Sequence, residues 1–169
     1  MSEALDRLWS PWRMEYVATT KGEPQECFIC AAWKSSMDRE NLVLHRCALA
    51  FAVMNLYPYN NGHLLIAPHR HIAGLVEQTT EEITALGELL RNAVAWLDRA
   101  YKPDGYNIGL NLGRVAGAGL PGHLHYHIVP RWNGDTNFMP VLGFTKVVSE
   151  GLRPSYDRLI NVIRELNVE

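Results

Sequence analysis

Histidines recur at every second position in His123-Leu124-His125-Tyr126-His127-Ile128-Val129-Pro130-Arg131-Trp132. Side chains on a strand alternate between faces. A strand here therefore puts three imidazoles on one side and Leu124, Tyr126 and Ile128 on the other. Such a row suits a metal ion, or one neutral imidazole acting as nucleophile with a neighbour moving a proton. The plain alternative is a chance cluster or a histidine-rich metal patch. Strict period two in a chain with only 7 histidines argues against chance. The preceding stretch, Gly113 to Gly122, is rich in small residues that let backbone N–H groups approach an oxyanion. An anion-binding loop running into a nucleophilic strand is what phosphoryl chemistry requires. A hydrolase using all three histidines as zinc ligands fits less well. No candidate general-base carboxylate adjoins them, and the glycine-rich loop would have no role.

A second constellation is Cys27-Phe28-Ile29-Cys30. Two thiols at this spacing make half of a tetrahedral zinc site, which needs two further ligands, usually histidines. Pro68-His69-Arg70-His71 and His123 offer them. Buried free thiols and a redox pair are the competing readings, although no thioredoxin-like βαβ pattern follows the pair. Cys47 reads as a core thiol. Arg131 either pairs with an anion or sits solvated at a strand end.

The elements that must position these groups are legible in outline. Residues 41–46, 48–54, 62–68, 106–112 and 123–131 read as strands, with turn chemistry at Tyr57-Pro58-Tyr59-Asn60-Asn61-Gly62 between the second and third. Residues 79–101 read as a helix that opens on a Thr79/Glu82 capping box, buries Ile83, Leu86, Leu90, Val94 and Leu97, and ends at Lys102-Pro103-Asp104-Gly105. Glu81, Glu82 and Glu88 read as its solvated face. A last helix covers about 155–167, with Tyr156, Leu159, Ile160, Ile163 and Leu166 inward. The expected class is α+β, an antiparallel sheet with helices packed on one side.

The 169 residues suit a single domain, 1–169, with an apolar share of 47% and a charged share of 20% that mark a folded chain. Residues 1–26 carry Leu8, Trp9, Trp12, Met14 and Tyr16, too much apolar surface for a solvated tail. They read as an extension packed on the domain or on a partner subunit. A net charge of −2 gives no broad basic surface for nucleic acid. No apolar run approaches a membrane span, and Met1 to Ser10 lacks the build of a secretory signal, so no membrane partner and a cytoplasmic location are expected.

The triad stretch resembles the signature of the histidine-triad superfamily, His-φ-His-φ-His-φ-φ with φ apolar, from which Tyr126 is a mild departure. The likeness covers about residues 50–132. Two flanking runs, Leu8 to Tyr16 and Pro130 to Met139, are similar to those of the bacterial diadenosine tetraphosphate phosphorylase-like branch. The resemblance implies a HIT-like fold and an enzyme that cleaves dinucleoside polyphosphates through a nucleotidyl-His125 intermediate. His127 is then the phosphate contact or proton donor. The same resemblance assigns Asn55, His63 and Asn111 to nucleotide binding, with the amides of Gly117, Ala118 and Gly119 cradling phosphate; Trp132 either lines the base pocket or packs at a subunit contact. It also implies a structural zinc on Cys27, Cys30, His71 and His123, no organic cofactor, and a homodimer or tetramer. Phosphorolysis to ADP and ATP is expected of this branch; hydrolysis to AMP and ATP, phosphoramidate hydrolysis and non-catalytic nucleotide binding are the alternatives. One departure bears on that choice. The branch often carries glycine then serine where this chain has Ala118 and Gly119, so a hydroxyl donor to phosphate is missing.

Overall fold

The computed structural model describes residues 27–136, 142 and 147–166. The 1–26 extension and the run Asn137 to Met139 lie outside the described residues. The described elements are α1 (Phe28–Lys34), β1 (Val43–Arg46), β2 (Ala50–Met54), β3 (Leu64–Pro68), α2 (Thr80–Tyr101), β4 (Gly105–Leu110), β5 (Tyr126–Arg131) and α3 (Leu152–Leu166). The five strands form one sheet in the order β1-β2-β3-β5-β4, with every neighbouring pair antiparallel.

The sheet has two distinct faces, as strand alternation requires. Ala52, Leu64, Ile66, Ile128 and Tyr106 share the face covered by α2 and α3. There the Tyr106 hydroxyl donates to Asp98 Oδ1 at 2.7 Å and the His45 ring lies 5.5 Å from Trp96. Helix α3 joins this layer, its Tyr156 hydroxyl donating to the Val43 carbonyl at 3.1 Å. The expected α+β architecture holds, with the two long helices on one side. Phe51, Leu65 and His127 lie on the other face.

Helix α2 starts as expected. Thr79 Oγ1 accepts from the Glu82 N–H at 3.2 Å, and the Glu82 carboxylate accepts from the Thr79 N–H at 2.9 Å. It ends at Lys102 in the left-handed region, φ 48°. Its buried stripe is rotated from the one expected: Leu86, Leu89, Ala93, Trp96 and Leu97 are buried, whereas Ile83 is 54% exposed. The cause is Glu82. It is not on a solvated face but buried, where Arg70 grips its carboxylate through two hydrogen bonds of 2.6 and 2.7 Å. A paired carboxylate can sit inside, and the next residue round the helix turns outward.

Helix α1 was not expected from the sequence. Its seven residues are too few for a hydrophobic period to show. It lies on the sheet face opposite α2, its Trp33 ring 5.5 Å from Phe51. Helix α3 begins at Leu152, about three residues earlier than expected, because Pro154 is tolerated in a first helical turn. At the β2–β3 turn Gly62 has φ +70°, and a Cβ there would come within 2.8 Å of Leu97, so only glycine brings the chain into β3 this close to α2.

Candidate active site

The β3–β5 ladder begins at Ile66↔Tyr126, so His123 and His125 lie just upstream of paired strand and only His127 is inside it. This departs from the expected strand over 123–131. The Leu124 N–H is taken by the Ile72 carbonyl at 2.6 Å, which holds the segment against residues 69–72 instead. The alternation persists where it matters. Leu124 and Ile128 are buried, and the His125 and His127 rings lie edge to face with centroids 4.9 Å apart.

Partners fix the proton positions on each ring. A carbonyl can only accept, so His125 Nδ1, 2.7 Å from the His123 carbonyl, carries the proton and Nε2 keeps its lone pair. His123 Nε2 donates in the same way to the Pro68 carbonyl at 3.0 Å, leaving its Nδ1 as an acceptor. The chain to His127 runs through a residue outside the triad. The Tyr59 N–H can only donate, and it meets His63 Nδ1 at 3.0 Å. His63 Nε2 therefore donates to His127 Nδ1, 3.0 Å away, and His127 holds its own proton on Nε2. One histidine thus offers a lone pair and its neighbour a proton.

Burial keeps these rings neutral. It lowers His125 below the ordinary histidine value, the His123 carbonyl working against it. Burial first, then the nearby His125, takes His127 down to about 4. Burial, with His127 and His125 adding to it, takes His63 to about 3. An unfolded chain titrates these groups near 6.5, so between about pH 4 and 6.5 it binds two protons that the native protein excludes. Stability therefore rises with pH through that window and levels off above it, at roughly 2–3 kcal/mol per pH unit between pH 5 and 6. Urea unfolding at pH 5, 6, 7 and 8 measures this. A profile flat from pH 5 to 7, after subtraction of a His63→Gln/His127→Gln reference, would contradict it.

The other expected site residues divide. Asn55 sits at the start of the β2–β3 turn, its Oδ1 accepting from the Tyr57 N–H at 3.0 Å and its Nδ2 lying 3.3 Å from His63 Nδ1. Asn111 is half-buried just past Leu110, the partner of Tyr126, so the register continued by one residue sets it across from His125. In the glycine-rich loop Gly113 and Gly117 have φ of 80° and 90° around a short 3₁₀ turn, Arg114–Ala116. The Gly117 and Ala118 N–H groups are spent inside this turn, on the Arg114 and Gly113 carbonyls at 3.0 and 3.3 Å. Ala118 is buried and Gly119 exposed.

Trp132 packs against the end of α2, its ring edge-on to Tyr101 with 6.4 Å between centroids. Arg131 is exposed at the strand end, but its guanidinium is committed within the chain. Asp135 takes its Nε and Nη2 at 2.6 and 2.9 Å and Asn107 its Nη1 at 2.6 Å.

Sequence reasoning missed Tyr59, which acts through its backbone, and Gly109. Gly109 pairs with His127 across the ladder, and among the described residues nothing lies within 4 Å of where its Cβ would be.

Cys27, Cys30, His71 and His123 do converge, their ligating atoms all within 4.8 Å of one another. Cys27 is the N-cap of α1 and Cys30 lies on its first turn. His123 Nδ1 is 3.3 and 3.4 Å from the two Sγ atoms, and His71 Nδ1 is 3.3 Å from Cys30 Sγ. These separations approach the edges of a tetrahedron with bonds of about 2.3 Å to sulfur and about 2.0–2.1 Å to nitrogen. The set can hold a metal ion. His69 stands apart, bonded to the Ala50 carbonyl at 3.0 Å. Cys47 donates to the same carbonyl.

The fold and the histidine array together define a class, and the HIT domain family matches residues 38–134: the chain belongs to the HIT family and is an enzyme of it. It is 40% identical over 159 residues to the AP-4-A phosphorylase of Mycobacterium tuberculosis, covering 89% of this chain and 80% of that one. It is 34% identical over 93 residues to the asymmetrical bis(5'-nucleosyl)-tetraphosphatase of Schizosaccharomyces pombe, covering 55% of this chain and 50% of the other. Among solved structures, a zinc-bound histidine triad family protein from Mycobacterium smegmatis shares the fold with a TM-score of 0.67 at 20% identity, covering 85% of this chain and 96% of its own. Among the described residues no helix is long and apolar enough to cross a membrane.

Proposed function

We propose that this chain cleaves dinucleoside polyphosphates, diadenosine tetraphosphate foremost, by phosphorolysis to ADP and ATP. The single observation that carries the reading is the His125 hydrogen bond. With Nδ1–H committed to the His123 carbonyl at 2.7 Å, the Nε2 lone pair is the reactive edge of a neutral ring. That lone pair attacks the α-phosphorus. The bond from phosphorus to the bridging oxygen breaks, its electron pair leaves with ATP, and the His127 Nε2–H supplies the proton where one is needed. An oxygen of inorganic phosphate then attacks the same phosphorus. The P–N bond breaks back onto His125 and ADP departs. His63 keeps His127 in the tautomer that points its proton at the site. Asn55 and Asn111 serve the ribose and phosphates. Trp132, packed on Tyr101, is given no part. The match to the AP-4-A phosphorylase over most of both chains supports this substrate and acceptor.

The metal is zinc, held by Cys27, Cys30, His71 and His123 as a closed structural site. When bound it supplies no step of the chemistry. It ties α1 to the residue whose carbonyl orients His125. The protein acts as a single domain spanning 1–169, in the cytoplasm, as a homodimer.

A second reading, hydrolysis to AMP and ATP, has one observation in its favour. The loop expected to cradle phosphate lacks the hydroxyl at Ala118 and Gly119, and turns two of its amides onto its own carbonyls. Incubation with diadenosine tetraphosphate, with and without inorganic phosphate, separates the two. ADP and ATP in equal amounts, and only with phosphate, are expected. AMP formed without phosphate replaces phosphorolysis by hydrolysis, and no turnover alongside tight binding rejects both.

A further inference from the structure

We propose that Arg46 is a positioning residue for the four-ligand cluster. With Trp33 and His69 it docks the thiol-bearing helix α1 on the sheet before a metal arrives, and so sets the cluster's affinity for zinc. This rests on the reading above that the cluster is a zinc site. A seven-residue helix has no stability of its own in water. Cys27 caps its N-terminus and Cys30 lies on its first turn, so their placement depends on what holds its other end.

Arg46 holds that end. The last carbonyls of a helix lack partners within it. Here the Arg46 fork reaches them, with Nη1 on the Trp33 carbonyl at 2.6 Å and Nη2 on those of Ala32 and Ser35 at 3.0 and 2.9 Å. Asp38 Oδ1 aims the fork, accepting from Nε and Nη2 at 3.0 and 2.6 Å. The guanidinium also lies 4.9 Å over the Trp33 ring.

Trp33 in turn stacks on His69, 3.4 Å between centroids and 18° between planes. His69 is fixed at both ends, its N–H on the Leu49 carbonyl at 3.0 Å and its Nε2 at the Ala50 carbonyl. It stands directly after Pro68, whose carbonyl holds His123, and two residues before His71. The stack therefore joins the segment that carries both thiols to the segment that carries one imidazole and the acceptor of the other. The side chains beside it are none of the ligands. Lysine cannot copy the fork, because a single ammonium with three N–H groups does not serve three carbonyls and a carboxylate at once.

The test measures zinc affinity on the folded protein by competition with a chromophoric chelator, for wild type, Arg46→Met, Arg46→Lys and Trp33→Leu. Cobalt absorption reports the ligand set, and amide exchange of the metal-free proteins reports the docking of α1. The three variants are expected to bind zinc about 10–100-fold more weakly, as outer-shell substitutions do. Their cobalt spectra at saturation should match the wild type, with faster exchange at residues 28–34. Arg46→Lys keeps the charge and covers the case in which Arg46→Met does not fold. Zinc affinity within threefold of wild type in the folded variants overturns the proposal, even if global stability falls. A wild-type protein that takes up neither zinc nor cobalt overturns the zinc reading itself, a distinct result.

Discussion

Replacing His125 by alanine lowers turnover of diadenosine tetraphosphate by at least about 10³-fold while nucleotide affinity stays within about tenfold. The separation follows from what the ring does. In the ground state it contributes a small, largely buried surface to the site. In the proposed mechanism its Nε2 forms the bond to phosphorus, an interaction that exists only beyond the ground state. Alanine removes that bond without unseating the neighbours, because the His123 carbonyl loses one acceptor role and the His63–His127 pair is untouched. Single-turnover kinetics with equilibrium nucleotide binding checks it. Quenching in alkaline denaturant traps radiolabelled nucleotide on the wild-type protein, stable to base, released by acid and absent from His125→Ala, and so identifies the intermediate. Turnover within tenfold of wild type would place the nucleophile elsewhere.

On the zinc reading proposed for the four-ligand cluster, stripping the metal has the second large effect, on stability first and on rate through it. A ligand that binds only the native state adds RT ln(1 + [L]/Kd), about 4 kcal/mol at a thousandfold excess over Kd. For a chain of this size each kcal/mol moves Tm by about 2–4 °C, so chelation lowers Tm by roughly 8–16 °C. Turnover falls as well, because His123 is shared. Its ring belongs to the cluster and its carbonyl orients the nucleophile. Calorimetry with chelator, then with zinc restored, measures both the loss and its recovery. Cys30→Ser should reproduce the chelated state without chelator. An unchanged Tm on complete removal of metal would show that the four side chains are held by protein contacts alone.

Much of the site was legible along the chain because its signals are local. Period-two histidines, a run of small residues and a Cys-x-x-Cys pair each lie within ten residues. The choice of His71 over His69 agrees with the geometry, since His69 is committed to Trp33 and Ala50. The rotated face of α2 was not legible, because apolar spacing cannot show that Glu82 is paired with Arg70 from another segment. The commitment of Arg131 to Asp135 is only four residues long but depends on a turn that the strand pattern did not predict. The inward amides of Gly117 and Ala118 escaped notice because composition shows where a backbone can bend, not which carbonyl it then meets.

The sequence by itself picked out the candidate residues and outlined four of the five strands and the two long helices, since both depend on side-chain type and short-range spacing. Only the tertiary structure decided how the three histidines differ. Alternation along a strand makes their rings equivalent. They are set apart by the Pro68 carbonyl, the His123 carbonyl and, through His63, the Tyr59 amide. A neutral imidazole has one proton and two places to put it. The choice belongs to hydrogen-bond partners, two of the three brought in from distant parts of the chain, and packing alone supplies them.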